Sequence, residues 1–127
     1  MLVLSPVDLQ PLTRKVDEFD FTVSVKRATL ADEGRRFELL FGGANTALIT
    51  DRALLEMWLT LEAADIQTAE GTPLFTAHMS FEDFAQAATV LWQHDPEAFW
   101  AVHAVVREAN PRWAPAQGEQ EGNEPSA

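Results

Sequence analysis

An α+β fold is predicted, in which an antiparallel β-hairpin is extended to a sheet of three or four strands that packs against three helices. Apolar and polar residues alternate before residue 42, and apolar residues recur with helical spacing from residue 51 onward. Because the strands come first and the helices follow, the order does not fit a parallel doubly wound sheet. We expect one globular domain over residues 1–113, with the last two helices paired on one sheet face.

The hairpin is predicted from two alternating runs. Residues 19–26 place an apolar side chain at every second position, which gives a strand one apolar face. The alternation resumes in residues 36–41, after a turn-forming cluster at 32–34. Upstream, residues 5–18 open like a helix, but Pro11 prevents its continuation, so a single turn and an irregular segment are expected.

Short segments between the main elements carry weaker patterns. Residues 42–45 predict a turn, and residues 46–50 and 74–79 are short candidates for a third and a fourth strand. The composition after residue 113 is rich in Gln, Gly, Glu, Pro and Ser, so we expect residues 114–127 to be a disordered acidic tail.

Three helices are predicted over residues 51–64, 80–94 and 95–110. The second begins at Ser80, a hydroxyl cap followed by two acids, and the third begins at Asp95, a cap followed by proline. In the helix predicted over residues 51–64, apolar side chains cover an arc of about 200° around the helix axis. Either both its sides are covered within the domain, or the edge at Leu55 and Leu59 contacts another chain.

Acidic residues are concentrated in the later part of the chain. Residues 1–52 contain 8 acidic and 7 basic residues, whereas residues 53–127 contain 12 acidic residues and only Arg107 and Arg112 as bases. Direct binding to nucleic acid or to an anionic membrane requires basic side chains, so neither is expected. The negative electrostatic field of these acidic residues favours a protein partner with a basic surface.

The chain contains no cysteine, which excludes disulfides and thiolate metal sites. A cytoplasmic location is the expectation for such a composition. The apolar start at residues 1–4 lacks the basic leader and the longer apolar core of a signal peptide.

Residues suited to catalysis are sparse. The three histidines, at positions 78, 94 and 103, have none of the spacings that place two imidazoles on one metal ion. Carboxylates that are adjacent in sequence lack the contrasting environments of an acid–base pair. We therefore expect no catalytic residue, cofactor or metal, and keep a small enzyme using His78 or His103 as the second alternative.

The favoured hypothesis is a non-catalytic acidic protein-binding module of the inhibitor, immunity, nucleic-acid-mimic or secretion-chaperone type, such as phage and mobile elements encode. Its helical surface would steer a basic partner by charge and hold it through desolvated side chains. The candidate interaction residues are Trp100, His103, Arg107, Glu97, Glu82, Asp83, Leu55 and Leu59. The alternative is a homodimeric structural or small-ligand-binding domain that uses the leucine-rich helix as its interface.

Overall fold

The computed structural model of the chain describes residues 1–6, 9–41 and 49–113. Within these ranges it is an α+β fold with an antiparallel sheet, which confirms the predicted class. The strands are β1 (Leu12–Val16), β2 (Phe21–Val25) and β3 (Leu61–Ala64). The helices are α1 (Leu30–Phe41), α2 (Ile49–Thr60), α3 (Phe81–His94) and α4 (Pro96–Ala109), followed by a short 3-10 turn at Pro111–Trp113. None of these helices is long and apolar enough to cross a membrane.

The central strand of the sheet is β2, which pairs with β1 on one side and β3 on the other. Phe21, Val23 and Val25 are buried, while the residues between them are partly exposed. This is the apolar face predicted from the alternation, and burying it against the helices is a main source of the fold's stability.

The predicted second strand of the hairpin, at residues 36–41, is wrong, because this segment belongs to α1. The helix begins with a reciprocal cap: the backbone N–H of Thr29 donates to Asp32 Oδ2 at 2.9 Å, and the N–H of Asp32 donates to Thr29 Oγ1 at 3.1 Å. Such a box satisfies donors that a first helical turn leaves open. The helix therefore includes residues 32–34, where a turn was predicted.

The actual partners of β2 were predicted as other structures. The segment expected to be irregular contains β1, whose three central residues are exposed and polar, so it has no alternation to detect. The helix predicted to run to residue 64 ends at Thr60, whose carbonyl accepts from Lys26 N–H at 2.9 Å. Pairing with β2 therefore ends α2 and starts β3.

Several other predictions fall at the limits of the described ranges. The turn at 42–45, most of the strand at 46–50 and the tail at 114–127 lie outside the described residues. Residues 49 and 50 belong to α2. Residues 74–79 do not form the predicted strand; they follow an isolated bridge between Gln67 and Pro73.

The last two helices form the predicted pair. Ser80 caps α3 by accepting from Asp83 N–H at 3.1 Å. Asp95 ends α3 and caps α4, since its carboxylate accepts from Glu97 N–H at 3.0 Å. Helix α4 contacts α2, α3, β1 and β2, so it lies at the centre of the core.

Asn110, at the end of α4, fastens this helix to the segment that joins β2 to α1. Its buried side-chain oxygen accepts from Ala28 N–H at 2.7 Å. Its amide nitrogen donates to the carbonyls of Lys26, at 3.3 Å, and Val106, at 3.1 Å. One side chain thus satisfies three backbone groups, two of them more than 80 positions away.

We predict that Asn110→Ala lowers the free energy of unfolding by about 2 kcal/mol, because the partly buried Ala28 N–H loses its acceptor. Urea denaturation measures the change. Gln93→Ala, on the exposed face of α3, serves as the control and should stay within about 0.5 kcal/mol of the unmodified chain. Equal effects of the two substitutions would contradict the role assigned to Asn110.

Candidate functional site

A fully buried carboxylate, that of Glu56 on α2, joins three helices. Arg36 of α1 donates to Oε2 from Nε at 3.0 Å and from Nη2 at 2.8 Å. His103 of α4 lies with Nε2 2.7 Å from Oε1, and Arg107 Nε is 4.0 Å from the same oxygen. We call these four side chains the Glu56 centre.

The Glu56 centre forms where two polar stripes meet. On α2, Arg52, Glu56 and Thr60 recur every four residues, and on α4 His103 and Arg107 have the same spacing. Both stripes look solvent-facing in sequence, but Glu56, Thr60 and His103 are buried where α2 packs against α4. Their burial depends on the contact between the two helices, which the spacing within either helix does not reveal.

Burial by itself would raise the pKa of the Glu56 carboxyl. Hydrogen bonds from His103 and Arg36, together with their charges, outweigh this effect and hold the pKa below its ordinary value of 4.5. The carboxylate therefore stays ionised and can only accept hydrogen bonds, so His103 donates through Nε2. In this arrangement Glu56 is a fixed negative charge, and the Glu56 centre acts as an electrostatic joint between helices.

Arg36 is held from a second direction by an aromatic ring. Its guanidinium lies 5.1 Å from the centre of the Trp113 ring, and Trp113 Nε1 donates to Glu33 at 2.8 Å. Cation–π contact of this kind is stronger when the cation is shielded from water, as Arg36 largely is. Trp113 therefore closes one side of the Glu56 centre.

The candidate interaction residues Trp100, Leu55 and Leu59 pack against other side chains of this chain. Trp100 is half-buried, with its ring centre 5.9 Å from that of Trp92 and 5.8 Å from that of His103. Leu55 and Leu59 are buried within this chain, which agrees with a helix covered on both sides.

The acidic candidates of α3 and α4 are exposed, and no ion pair joins Glu82, Asp83 or Glu97 to a basic side chain within the described ranges. They do not form one patch. Glu82 and Asp83 stand at the start of α3, whereas Glu97 follows its end, about 20 Å away along a helix of this length.

A cleft of about 270 Å³ opens beside the start of α3. Phe84 of α3 lines it, and Phe81 packs edge-on against Trp58 with ring centres 5.2 Å apart. Trp58 forms part of the wall and donates from Nε1 to the Met79 carbonyl at 3.0 Å. The guanidinium of Arg35 lies over the Trp58 ring, 4.5 Å from its centre.

Two irregular backbone positions also line this cleft. On β3 the register with β2 passes from Leu61 to Ala63, so Glu62 is the extra residue of a bulge. His78 has a φ of 63°, in the left-handed region that non-glycine residues seldom adopt. Bulges and strained positions are frequent beside binding sites, where they redirect a side chain. The cleft combines an aromatic wall with Glu62 and His78 at its rim.

No pattern in the sequence indicates this cleft. Glu62 lies inside the helix predicted over residues 51–64, and Trp58 lies on the apolar arc of that helix. A signal for the Glu56 centre did exist, since an acid spaced four residues from Arg52 interrupts a helix that is otherwise apolar over most of its surface. Of the two histidines considered for a small enzyme, His78 lines the cleft and His103 belongs to the Glu56 centre.

Within residues 1–6, 9–41 and 49–113, no group of three or more His, Asp or Glu side chains is placed to hold a metal ion.

We predict that Glu56→Gln lowers the free energy of unfolding by about 3 kcal/mol, since among the described residues Glu56 is the carboxylate that is ion-paired with Arg36. Thermal or urea unfolding measures the loss. Glu38→Gln, an exposed carboxylate on α1, carries the same change of charge and should alter stability by less than about 0.5 kcal/mol. If Glu56→Gln leaves the free energy of unfolding unchanged, the ion pair contributes nothing to stability.

The lowered pKa of Glu56 also predicts a dependence of stability on pH. Below about pH 4.5 the unfolded chain takes up a proton at Glu56 that the folded chain resists, so acid favours unfolding. This contribution is fully present above pH 4.5 and is lost as the pH falls through the lower, folded pKa. The urea midpoint should therefore fall less steeply with acid in Glu56→Gln than in the unmodified chain. If the urea midpoints of the two chains fall equally steeply with acid, the prediction is refuted.

No protein-family model matches this sequence, and neither a curated protein nor a solved structure shows significant similarity to it.

Proposed function

We propose that the chain is a protein-binding module for a basic partner, and that it docks a basic segment of that partner at the cleft beside Trp58. The observation that carries the proposal is the contact between Arg35 and Trp58. A guanidinium group already lies over the aromatic wall, 4.5 Å from the ring centre, which supports the fit of a cationic side chain at this place.

The charges around the cleft favour such a partner. Glu62 lines it, and the first turn of α3, which begins there, carries Glu82 and Asp83. These three carboxylates are exposed and make no ion pair with a described basic side chain. Asp32, which also lines the cleft, is paired with Lys26 at 2.9 Å. A basic segment could donate hydrogen bonds to the carboxylates at the rim and pack against the apolar side chains inside the cleft.

The mechanism is attraction followed by docking. The excess of acids in residues 53–127 raises the rate at which a basic protein encounters this surface. Desolvated contact then comes from the aromatic and aliphatic side chains of the cleft, such as Phe75 and Met79. Inhibition, immunity, mimicry of nucleic acid and chaperoning are all uses of this one activity.

A labelled arginine-rich peptide provides the probe, with affinity measured by fluorescence anisotropy at low and high salt. We expect Glu62→Gln to weaken binding about two- to fivefold, as for an exposed ion pair. Glu97→Gln is the matched control, because it removes the same charge at the far end of α3. Its effect should be smaller, and salt should weaken binding to every variant.

Equal weakening by Glu62→Gln and Glu97→Gln would mean that the peptide responds to net charge alone, and would refute docking at the cleft. Binding that does not change with salt would refute the basic partner itself. Light scattering on the same samples tests the homodimer alternative, because a stable dimer of the unliganded chain would favour that function.

A further inference from the structure

The guanidinium group of Arg35 occupies the place at which a cationic side chain would dock in the cleft. It lies over the Trp58 ring, 4.5 Å from its centre, and both residues line the cleft. A second guanidinium on the same ring face would be repelled, because like charges a few ångströms apart oppose each other. A basic segment that uses this ring must therefore displace Arg35.

Arg35 is held weakly at this position. Its side chain is exposed, and within the described residues it forms no hydrogen bond or ion pair, although Asp32 and Glu62 line the same cleft. A cation–π contact at an exposed site is a weak interaction. Glu38, three positions further along α1, is exposed and has no ion pair within the described ranges, so it offers a displaced Arg35 a carboxylate.

The Trp58 ring, by contrast, is fixed. Its Nε1 donates to the Met79 carbonyl at 3.0 Å, and Phe81 packs edge-on against it with ring centres 5.2 Å apart. The backbone of α1 is also fixed, because Arg36 is bound to the buried Glu56. Displacement therefore requires only that one exposed side chain rotates away from a ring that stays in place.

The same contact indicates which side chain of the partner fits. A guanidinium is planar, weakly hydrated and able to stack on an aromatic face, whereas the ammonium of lysine is a compact and strongly hydrated charge. An incoming guanidinium would also have Glu62, which lines the cleft and has no ion pair with a described basic side chain. Arg35 is not ion-paired with Glu62, so the exchange favours the incoming group.

We propose that the cleft binds an arginine side chain of the partner in preference to a lysine, and that this arginine replaces Arg35 on the Trp58 ring. The proposal rests on the proposed function, because it needs a basic segment that docks at the cleft. Arg35 is then an intramolecular competitor. It lowers the apparent affinity for the partner by the fraction of molecules in which the ring is free.

The test compares two labelled peptides of equal length and charge, one rich in arginine and one rich in lysine, by fluorescence anisotropy at low salt. We expect the arginine-rich peptide to bind the unmodified chain more tightly. Arg35→Gln should tighten its binding about two- to fivefold more than Arg27→Gln does, the factor that corresponds to an exposed cation–π contact. Arg27 is the matched control, because it is an exposed arginine that does not line the cleft.

NMR on the unmodified chain follows the displacement directly. The side-chain protons of Arg35 lie over the Trp58 ring, so its ring current should shift their resonances. As the arginine-rich peptide binds, these resonances should move toward the values of a free arginine side chain. Resonances that keep their shift in the saturated complex would overturn the displacement.

The outcomes separate this proposal from the proposed function. If Glu62→Gln weakens binding more than Glu97→Gln, docking at the cleft stands. Should Arg35→Gln then tighten binding no more than Arg27→Gln, the displacement is overturned alone. Equal affinity for the two peptides would overturn the preference for arginine. If the two glutamate variants weaken binding equally, docking at the cleft fails, and this proposal fails with it.

Discussion

The constraint that organises this protein is the charge of Glu56, which is buried completely and must be compensated inside the fold. A buried carboxylate without partners is far more costly than an exposed one. Arg36 and His103 supply the compensation from two other helices, which fixes α1 and α4 relative to α2. Packing alone would hold α1 less firmly, because apolar residues such as Leu30 and Leu39 remain exposed on it.

The same constraint positions the cleft. Arg35 and Arg36 are neighbours on α1, and consecutive side chains of a helix point about 100° apart. When Arg36 is drawn to Glu56, Arg35 is directed to the ring of Trp58. One orientation of α1 therefore places Arg36 in the buried Glu56 centre and Arg35 on the aromatic wall of the cleft.

The elements that could be predicted are those whose signals are local. The alternation of β2 and the caps at Ser80 and Asp95 depend on neighbours in sequence, and the structure has all three. Helix α1 also had a local signal, the Thr29 and Asp32 box, but the alternation that follows it favoured a strand. Among residues 36–40, whose side chains the structure describes, the buried one is Leu40, which the alternation assigns to the opposite face from Phe37 and Leu39. The class of the fold was accessible, but the strand partners were not.

The parts that could not be predicted depend on pairing between distant segments. Thr60 ends a helix only because Lys26 is there to bond its carbonyl, and Glu62 reaches the cleft only because the ladder slips at that point. Likewise, a polar stripe looks solvent-facing until a second stripe lies opposite, as happens for Glu56 and His103. The sequence groups the eight candidate residues by charge and spacing. In the fold the three acids among them are exposed, whereas His103 is buried and Arg107 is partly buried.

The clamp made by Asn110 has a further consequence, for the order in which the chain assembles. Helices α3 and α4 share Asp95 and form through contacts close in sequence, which is fast. The bonds from Asn110 to Ala28 and Lys26 span 82 and 84 positions, so they require the closure of a very long loop. Contacts of such separation slow folding. Until they form, β2 lacks its cover, and its valines are open to association with other unfinished chains.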